Sequence, residues 1–202
     1  MADPLDPAAR RVVDAAARKG VDLRITLLAR TSHTAENAAR ALGLELGQIV
    51  KTVVFVTPSS DGGCEPILCL VAGTNRVDVA RLAAVVGEPS IRRATAREAR
   101  ELTGFAIGGI PPIGHGRPVR AVMDPDLGRF RVVWAAAGLD RAVFPVPPAT
   151  LRVLANAVVA PIAEERTADA GPAAAAAHAD PGAAAAAHAG PPGDAALDGA
   201  GT

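Results

Sequence analysis

A lysine inside an apolar strand is the first residue of this sequence that calls for a chemical explanation. Lys51 stands between Ile-Val and a run of Thr-Val-Val-Phe-Val, where burial is expected and a charge is unusual. The chain has only two lysines beside 19 arginines, and a compact ammonium suits a site that binds a point anion. A lysine on the wet face of a sheet, or one that extends its charge past the edge, would explain the same pattern.

A glycine-proline loop, residues 108–112, is the second candidate. Its glycines allow close approach of the backbone to a ligand, while Pro111 and Pro112 stiffen it and donate no N–H. Backbone amides in such a loop can hold a phosphate or a developing oxyanion. The amides available for this are those of Gly108, Gly109, Ile110, Ile113 and Gly114. A structural turn between a helix and a strand is the alternative interpretation.

Three further polar residues are weaker candidates. His115 follows the loop and could act as a base or contact a ligand, although a histidine that caps a turn explains its position equally well. Asp124 begins the sequence Asp-Pro-Asp, which indicates a turn before it indicates a site carboxylate. His33, beside Thr34, is interpreted as a surface residue.

Several motifs are absent, and each absence excludes a class of protein. No dinucleotide-binding or phosphate-binding glycine motif occurs, and no serine nucleophile elbow occurs. His33 and His115 lack the spacing of metal ligands, so we expect no metal site and no cofactor. Cys64 and Cys69 are five residues apart in a predicted strand, so they point to opposite faces and form neither a metal pair nor a disulfide.

The elements that must position these residues are helices and strands in alternation. Caps and apolar spacing predict helices that begin near Pro7, Thr34, Arg76, Thr95 and Pro148, the last running to Val158. Apolar runs predict strands over residues 24–28, 49–57, 66–72, 119–123, 130–135 and 142–146, the second and third forming a hairpin. The pattern favours an α+β fold, a single domain with a mixed, mostly antiparallel sheet packed with helices.

The composition changes after Arg166, which we predict to be the domain boundary. Residues 167–202 hold 17 alanines and no bulky apolar residue except Leu197, so this tail is predicted to be disordered. Two short alanine helices are the alternative. Residues 1–166 hold 21 cations and 17 acids, a surplus of +4 that permits a phosphate-bearing partner. No secretory or membrane-spanning segment is evident, so we expect a cytoplasmic protein without a membrane partner.

Four segments together resemble the YbaK family of aminoacyl-tRNA deacylases, which includes the editing domain of bacterial prolyl-tRNA synthetases. They are Thr-Ala-Glu-Asn-Ala-Ala from Thr34, the strand with Lys51 and Thr52, Gly73 with Arg-Val-Asp from Arg76, and the glycine-proline loop. The resemblance covers residues 7–165 and implies a YbaK-like fold. Its most specific element is the G-x-x-x-P signature from Gly108 to Pro112, combined with a strand lysine more than 50 residues earlier.

The resemblance also implies roles. The amides of Gly108, Gly109 and Ile110 hold the scissile ester, Lys51 anchors the tRNA end, and the terminal adenosine's own hydroxyl assists the attacking water. An activated ester needs positioning and oxyanion stabilisation more than a strong nucleophile, so the missing catalytic triad agrees with this chemistry. The residues expected to bind the substrate are Thr52, Pro111, Pro112, Gly114, His115 and Asp124.

The implied partner is a tRNA acceptor end that carries a mismatched amino acid, with an aminoacyl-tRNA synthetase as a further candidate. With no Tyr, one Trp and four Phe, the chain lacks a stacking platform for long single strands, and DNA is not expected as a partner. The polar residue that relatives carry in the last strand falls near Ala142 or Val143 here, so the amino acid stays open. Two alternatives to a trans-acting deacylase are a non-catalytic module that binds an aminoacyl-tRNA end or small nucleotide, and a hydrolase of another small ester.

Overall fold

The computed structural model of the chain describes residues 5–29, 31, 34–60 and 62–165. By its internal contacts the chain divides into residues 1–164 and residues 165–202, and every element given below belongs to the first unit. The predicted boundary at Arg166, the tail and His33 lie outside the described residues. Within those ranges, no helix has the length and apolar character needed to cross a membrane.

Five α-helices form, and four of them begin at a capping side chain. The side chains of Asp6, Thr34, Asp78 and Thr95 each accept a hydrogen bond from a backbone N–H of the first helical turn. The predicted capping box of Thr95 and Glu98 is present. The helices are α1 (Pro7–Ala17), α2 (Ala35–Leu42), α3 (Val79–Val86), α4 (Ala96–Thr103) and α5 (Pro148–Ala155), with 3-10 helices at Leu46–Gln48 and Pro125–Arg129.

Eight strands form two sheets. A three-stranded antiparallel sheet has the order β1-β7-β6, and a five-stranded mixed sheet has the order β4-β2-β3-β5-β8. The pairs β3-β5 and β5-β8 are parallel, whereas the other four are antiparallel. The strands are β1 (Thr26–Leu27), β2 (Val50–Pro58), β3 (Cys64–Ala72), β4 (Arg92–Arg93), β5 (Arg120–Met123), β6 (Val133–Ala136), β7 (Ala142–Val146) and β8 (Val158–Val159).

The predicted α+β class, with mostly antiparallel pairing, is confirmed. The strands divide between two sheets, joined by an isolated parallel bridge from Ile49 to Trp134. The third helix begins at Val79 rather than at Arg76, because Asp78 caps it. The last helix ends at Ala155, since Asn156 adopts a left-handed conformation with φ 50°, and Val158 belongs to β8 instead.

The five-stranded sheet separates two apolar clusters, and this separation positions the candidate site. Alternate residues of β2 and β3 point to opposite faces. On one face, Val50, Val54, Leu68 and Leu70 belong to the main cluster, which also contains Phe144. On the other face, buried residues from β2, β3, β5, α3 and the C-terminal segment pack together, namely Phe55, Ile67, Cys69, Val71, Leu82, Val122 and Ile162.

Candidate active site

Lys51 lies near the start of β2, opposite Val71 of β3, and its side chain is half-buried. The alternation of β2 places it on the face that Val53 and Phe55 share. Its ammonium makes no hydrogen bond or ion pair with any residue that the structure describes. Burial is the main cause that lowers the pKa of Lys51, because the charged form loses hydration there.

Four exposed charged residues surround Lys51 and act on its pKa. The carboxylates of Glu36 and Glu164 raise the pKa, and the guanidinium groups of Arg76 and Arg93 lower it further. These residues belong to α2, the segment after β3, β4 and the segment after β8. Lys51 is therefore a partly desolvated cation among groups of both signs, with no hydrogen-bond or ion-pair partner among the described residues, and its burial costs free energy.

The edge of β2 next to Lys51 lacks a neighbouring strand. On this side, β2 is joined to β6 through Ile49 and Trp134, and β4 pairs with Phe55 and Val56. Between these two points, the pairings among the described residues leave the stretch 51–53 without a partner strand. Thr52 lies in the middle of this opening, and its buried hydroxyl oxygen has no hydrogen-bond partner in the part of the chain that the structure covers.

The glycine-proline loop follows α4 and combines exposed and buried backbone. Gly108 is exposed and has φ +89°, a conformation that favours glycine. Ile110 and Ile113 are buried in the main apolar cluster, which holds the loop by its side chains. The backbone N–H groups of Gly108 and Ile110 donate to no other described residue, so these two amides are available to a ligand.

The amide of Gly109 makes a hydrogen bond within the protein, whereas the resemblance implied that it holds the scissile ester. Its N–H donates to the Ala106 carbonyl at 3.1 Å, which closes a turn, and its carbonyl accepts from the Gly138 N–H at 3.0 Å. A Cβ at this position would lie 2.7 Å from the backbone carbonyl carbon of Leu139. Gly109 is therefore required by close packing against the β6–β7 turn, and its amide is not a free donor in this structure.

The structure brings the loop and Lys51 to the same strand but to different faces of it. Ile110 belongs to the cluster of Val50 and Val54, whereas Lys51 points to the opposite face. Thr52 shares the face of the loop. Among the described residues, no hydrogen bond joins Lys51 to the loop, so a substrate that reaches both must extend across the open edge of β2.

His115 and Gly114 lie at the far end of the loop and pack against other elements. The Nδ1 atom of His115 is 3.4 Å from the Thr103 carbonyl oxygen, and its ring meets the Phe105 ring edge-on, with centroids 5.6 Å apart. Gly114 has φ +88° and lies against α1, where a Cβ would be 3.2 Å from the Arg11 carbonyl oxygen. Gly114 therefore packs against α1, and His115 contacts the end of α4. The contact of His115 agrees with the alternative that this histidine caps a turn.

Asp124 is 2% exposed, and its carboxylate is occupied by backbone donors. Oδ2 accepts from the N–H groups of Ile162 and Ala163 at 3.1 and 2.9 Å, and Oδ1 accepts from Asp126 at 3.1 Å. The structure therefore favours the turn interpretation of Asp124 over substrate binding, because its oxygens already hold the C-terminal segment against the 3-10 helix. Across the described residues, no group of three or more His, Cys, Asp and Glu side chains is arranged to hold a metal ion.

A family model described as the aminoacyl-tRNA editing domain matches residues 29–154, which is more than half of the chain. This chain belongs to the aminoacyl-tRNA editing domain family. The matched residues include Lys51, Thr52, the glycine-proline loop, His115 and Asp124. Arg11 and the rest of α1 lie outside the matched part of this editing-domain protein, although α1 packs against the end of the loop.

Relatives of the editing domain occur both as short proteins and within synthetases. A solved structure described as a candidate trans-editing enzyme for prolyl tRNA synthetase is 45% identical, with a TM-score of 0.72, and the match covers 80% of this chain and 100% of that one. The candidate Cys-tRNA(Pro)/Cys-tRNA(Cys) deacylase EbsC of Enterococcus faecalis is 25% identical over 129 residues, 64% of this chain and 76% of EbsC.

The proline–tRNA ligase of Xanthomonas axonopodis pv. citri is 36% identical to this chain over 97 residues. The aligned part is 48% of this chain and 16% of the ligase, so the chain spans about a sixth of the length of such ligases. The resemblance to the YbaK family, and the fold that it implied, are thereby confirmed.

Two features of the editing domain could not be found from sequence patterns. The contacts of Arg11 with Gly104 and Phe105 join residues 93 and 94 positions apart, and nothing in the sequence around Arg11 marks them. The opening beside residues 51–53 exists because β6 and β4 meet β2 at different points. Strand pairing over such distances has no local signal, since apolar alternation indicates a strand but not its neighbour.

Proposed function

We propose that this editing domain is a trans-acting aminoacyl-tRNA deacylase, which hydrolyses the ester of mischarged tRNA in translation quality control. The observation that carries the proposal is the half-buried Lys51 ammonium. Among the described residues it has no hydrogen bond or ion pair, and it lies beside an open strand edge inside the region that matches the family. A charge that is desolvated without local compensation is typical of a residue kept for a ligand.

The proposed mechanism uses positioning and electrostatic stabilisation. The free amides of Gly108 and Ile110 donate to the oxygen of the scissile ester, whose negative charge develops as water adds to the carbonyl carbon. Preorganised donors of this kind contribute about 10²- to 10³-fold to turnover. The terminal adenosine's hydroxyl assists the attacking water, and Lys51 binds a phosphate of the tRNA end, with Thr52 lining the path between them.

A covalent route through a cysteine receives no support from the structure. Burial raises the pKa of the Cys69 thiol to about 12, so it is not a thiolate at neutral pH. Cys64 is partly exposed on the other face of β3 and lies 3.9 Å from a guanidinium nitrogen of Arg92, away from the glycine-proline loop. Direct attack by water on an activated ester is the reaction that the available residues support best.

The substrate class that we propose is a tRNA carrying a small mismatched amino acid, and a synthetase is a candidate partner. This proposal rests on the relatives, whose names refer to prolyl-tRNA synthetase and to Cys-tRNA substrates. The resemblance to the family implies a polar residue near Ala142 or Val143 of β7, where this chain is apolar, so the preferred amino acid has to be measured.

The decisive experiment measures ester loss from a panel of tRNAs charged with alanine, serine, threonine or cysteine, with the full chain as the enzyme. We expect at least one of them to be cleared, and Lys51→Ala to abolish clearance. The matched control is Lys19→Ala, because Lys19 is the chain's other lysine and donates to the carbonyls of Val153 and Leu154 at 2.9 Å. Tight binding of a charged tRNA without ester loss would replace the deacylase by a binding module.

A further inference from the structure

The segment that carries the glycine-proline loop has its two ends held at one place. Its first end follows α4, where the carbonyl of Gly104 accepts a hydrogen bond from an Arg11 guanidinium nitrogen at 2.7 Å. The same guanidinium lies over the Phe105 ring, with its central carbon 4.0 Å from the ring centroid. Arg11 therefore ties α1 to the beginning of the segment through both a hydrogen bond and a cation–π contact.

The second end of the segment meets the first through His115. Its ring contacts the Phe105 ring edge-on at an interplanar angle of 89°, and Arg11 contacts the same Phe105 ring. Its Nδ1 lies 3.4 Å from the carbonyl oxygen of Thr103, the last residue of α4. Because a carbonyl oxygen only accepts, this contact is a hydrogen bond in the tautomer that carries its proton on Nδ1.

The surroundings of His115 determine the protonation state of its ring. Its Nε2 atom is buried and has no hydrogen-bond partner among the described residues. Burial lowers the pKa of His115, the carbonyls of Thr103 and Pro111 oppose this, and Arg11 adds to the lowering. The imidazole is therefore neutral at pH 7, and its polar contacts are with the backbone carbonyls of Thr103 and Pro111.

We propose that His115, together with Arg11 and Phe105, is a positioning residue that fixes the glycine-proline loop so that the amides of Gly108 and Ile110 stay aimed at the substrate. The kinetic part of this proposal rests on the proposed deacylase function. The physical reason is that a loop with free amides has few bonds of its own to hold it, so its order depends on what fixes its ends.

Two amides report on the loop without any tRNA. Gly109 donates to Ala106 within the loop, and Gly138 donates to the Gly109 carbonyl from the neighbouring turn, so both become exchangeable when the loop loosens. We expect His115→Ala to speed hydrogen exchange at Gly109 and Gly138 by about tenfold or more, while amides of β3 keep their protection. Arg11→Ala should act in the same direction.

Two variants separate this role from a general effect on folding. His115→Asn places an amide N–H near the position of Nδ1, so it should restore much of the protection that His115→Ala removes. Arg10→Ala changes the neighbouring exposed arginine on α1, whose side chain makes no hydrogen bond or ion pair with another described residue, and should leave exchange unchanged. Unchanged exchange at Gly109 and Gly138 in both His115→Ala and Arg11→Ala would overturn the proposal.

With a cleared tRNA as substrate, His115→Ala should lower kcat by about 10- to 100-fold and change KM little, because loosening affects transition-state donors more than ground-state binding. A rise in KM alone would make His115 a substrate contact and refute the positioning role. If the wild-type protein clears no tRNA, the deacylase proposal fails, and the exchange result still decides whether His115 fixes the loop.

Discussion

Lys51 and Asp124 are charged residues at the same end of the five-stranded sheet, and the fold treats them in opposite ways. Lys51 lies opposite the last part of β3, and Asp124 directly follows β5, which runs parallel to β3. The carboxylate of Asp124 receives three backbone N–H groups and is almost fully buried. The ammonium of Lys51 is half-buried and contacts no described partner.

The difference shows how to separate a structural charge from a functional one. A buried charge that is fully hydrogen-bonded stabilises the segments that supply its partners. A partly desolvated charge without partners costs free energy, and a protein gains nothing from it unless a ligand supplies the missing contacts. Both residues lie within the range that the family model matches, so their contacts, rather than their chemical types, distinguish their roles.

The largest expected effect separates activity from stability at Lys51. Lys51→Met should lower kcat/KM for a cleared tRNA by about 10²- to 10³-fold, or about 3–4 kcal/mol, through loss of the tRNA-end contact. The same variant should unfold at an equal or higher temperature, because the wild-type fold pays for a desolvated ammonium. Melting curves and initial rates test this prediction. A large loss of stability in Lys51→Met would contradict the proposed difference between Lys51 and Asp124.

The sign of the pH effect on Lys51 can be checked in the same melting experiments. Its folded pKa lies below the unfolded value of 10.5, so the charged form is disfavoured in the folded protein. The stability deficit relative to Lys51→Met is therefore complete below the folded pKa and shrinks as pH rises toward 10.5. A deficit that grows with pH would contradict the assigned direction.

Substitution of Asp124 should lower stability and leave activity nearly unchanged, which is the opposite of the effect expected for Lys51→Met. Asp124→Ala leaves the amides of Ile162, Ala163 and Asp126 without acceptors, which should lower the free energy of unfolding by about 2–4 kcal/mol. Denaturant unfolding measures this loss. At a temperature where the variant is still folded, kcat/KM should stay within about threefold of wild type. A kinetic loss as large as that of Lys51→Met would place Asp124 in the substrate site.

Two adjacent glycines sharpen the comparison within the loop. Gly109→Ala brings a Cβ to 2.7 Å from the Leu139 backbone, so it should destabilise the protein by about 2 kcal/mol or more. Gly108→Ala changes an exposed residue whose φ of +89° disfavours a side chain, a cost of about 1–2 kcal/mol. Its main effect should be slower turnover with nearly unchanged tRNA binding. Equal losses of binding and turnover would argue against oxyanion support.

The smallest expected effect is the pH dependence that His115 contributes to stability. Its folded pKa is lowered from the ordinary value of about 6.5, so the unfolded chain takes up a proton first as pH falls. This contribution is therefore complete above about pH 6.5 and is lost as pH falls toward the lowered folded pKa. Between pH 7 and 5, the free energy of unfolding of the wild type should therefore fall more than that of His115→Asn. Parallel curves for the two proteins would refute this prediction.

The local elements follow from the sequence because their signals are local. The Thr95–Glu98 capping box, the hairpin of β2 and β3, and the strand Ala142–Val146 all appear where short-range patterns predict them. Boundaries shift where a cap or a left-handed residue ends an element early, as at Asp78 and Asn156. Such residues act within one turn of a helix, so their effect is visible in a window of a few positions.

The features of the candidate site also divide into those that local sequence indicates and those that depend on distant residues. Residue types identified Lys51 and the loop by themselves, because a charge in an apolar strand and a Gly-Gly-x-Pro-Pro segment are unusual wherever they occur. Sequence alone could not decide which loop amides remain free, that Asp124 is saturated by Ile162 and Ala163, or that Arg11 and His115 both contact Phe105. Those facts depend on hydrogen bonds and packing between residues far apart in the chain, and only the tertiary structure determines which distant groups satisfy one another.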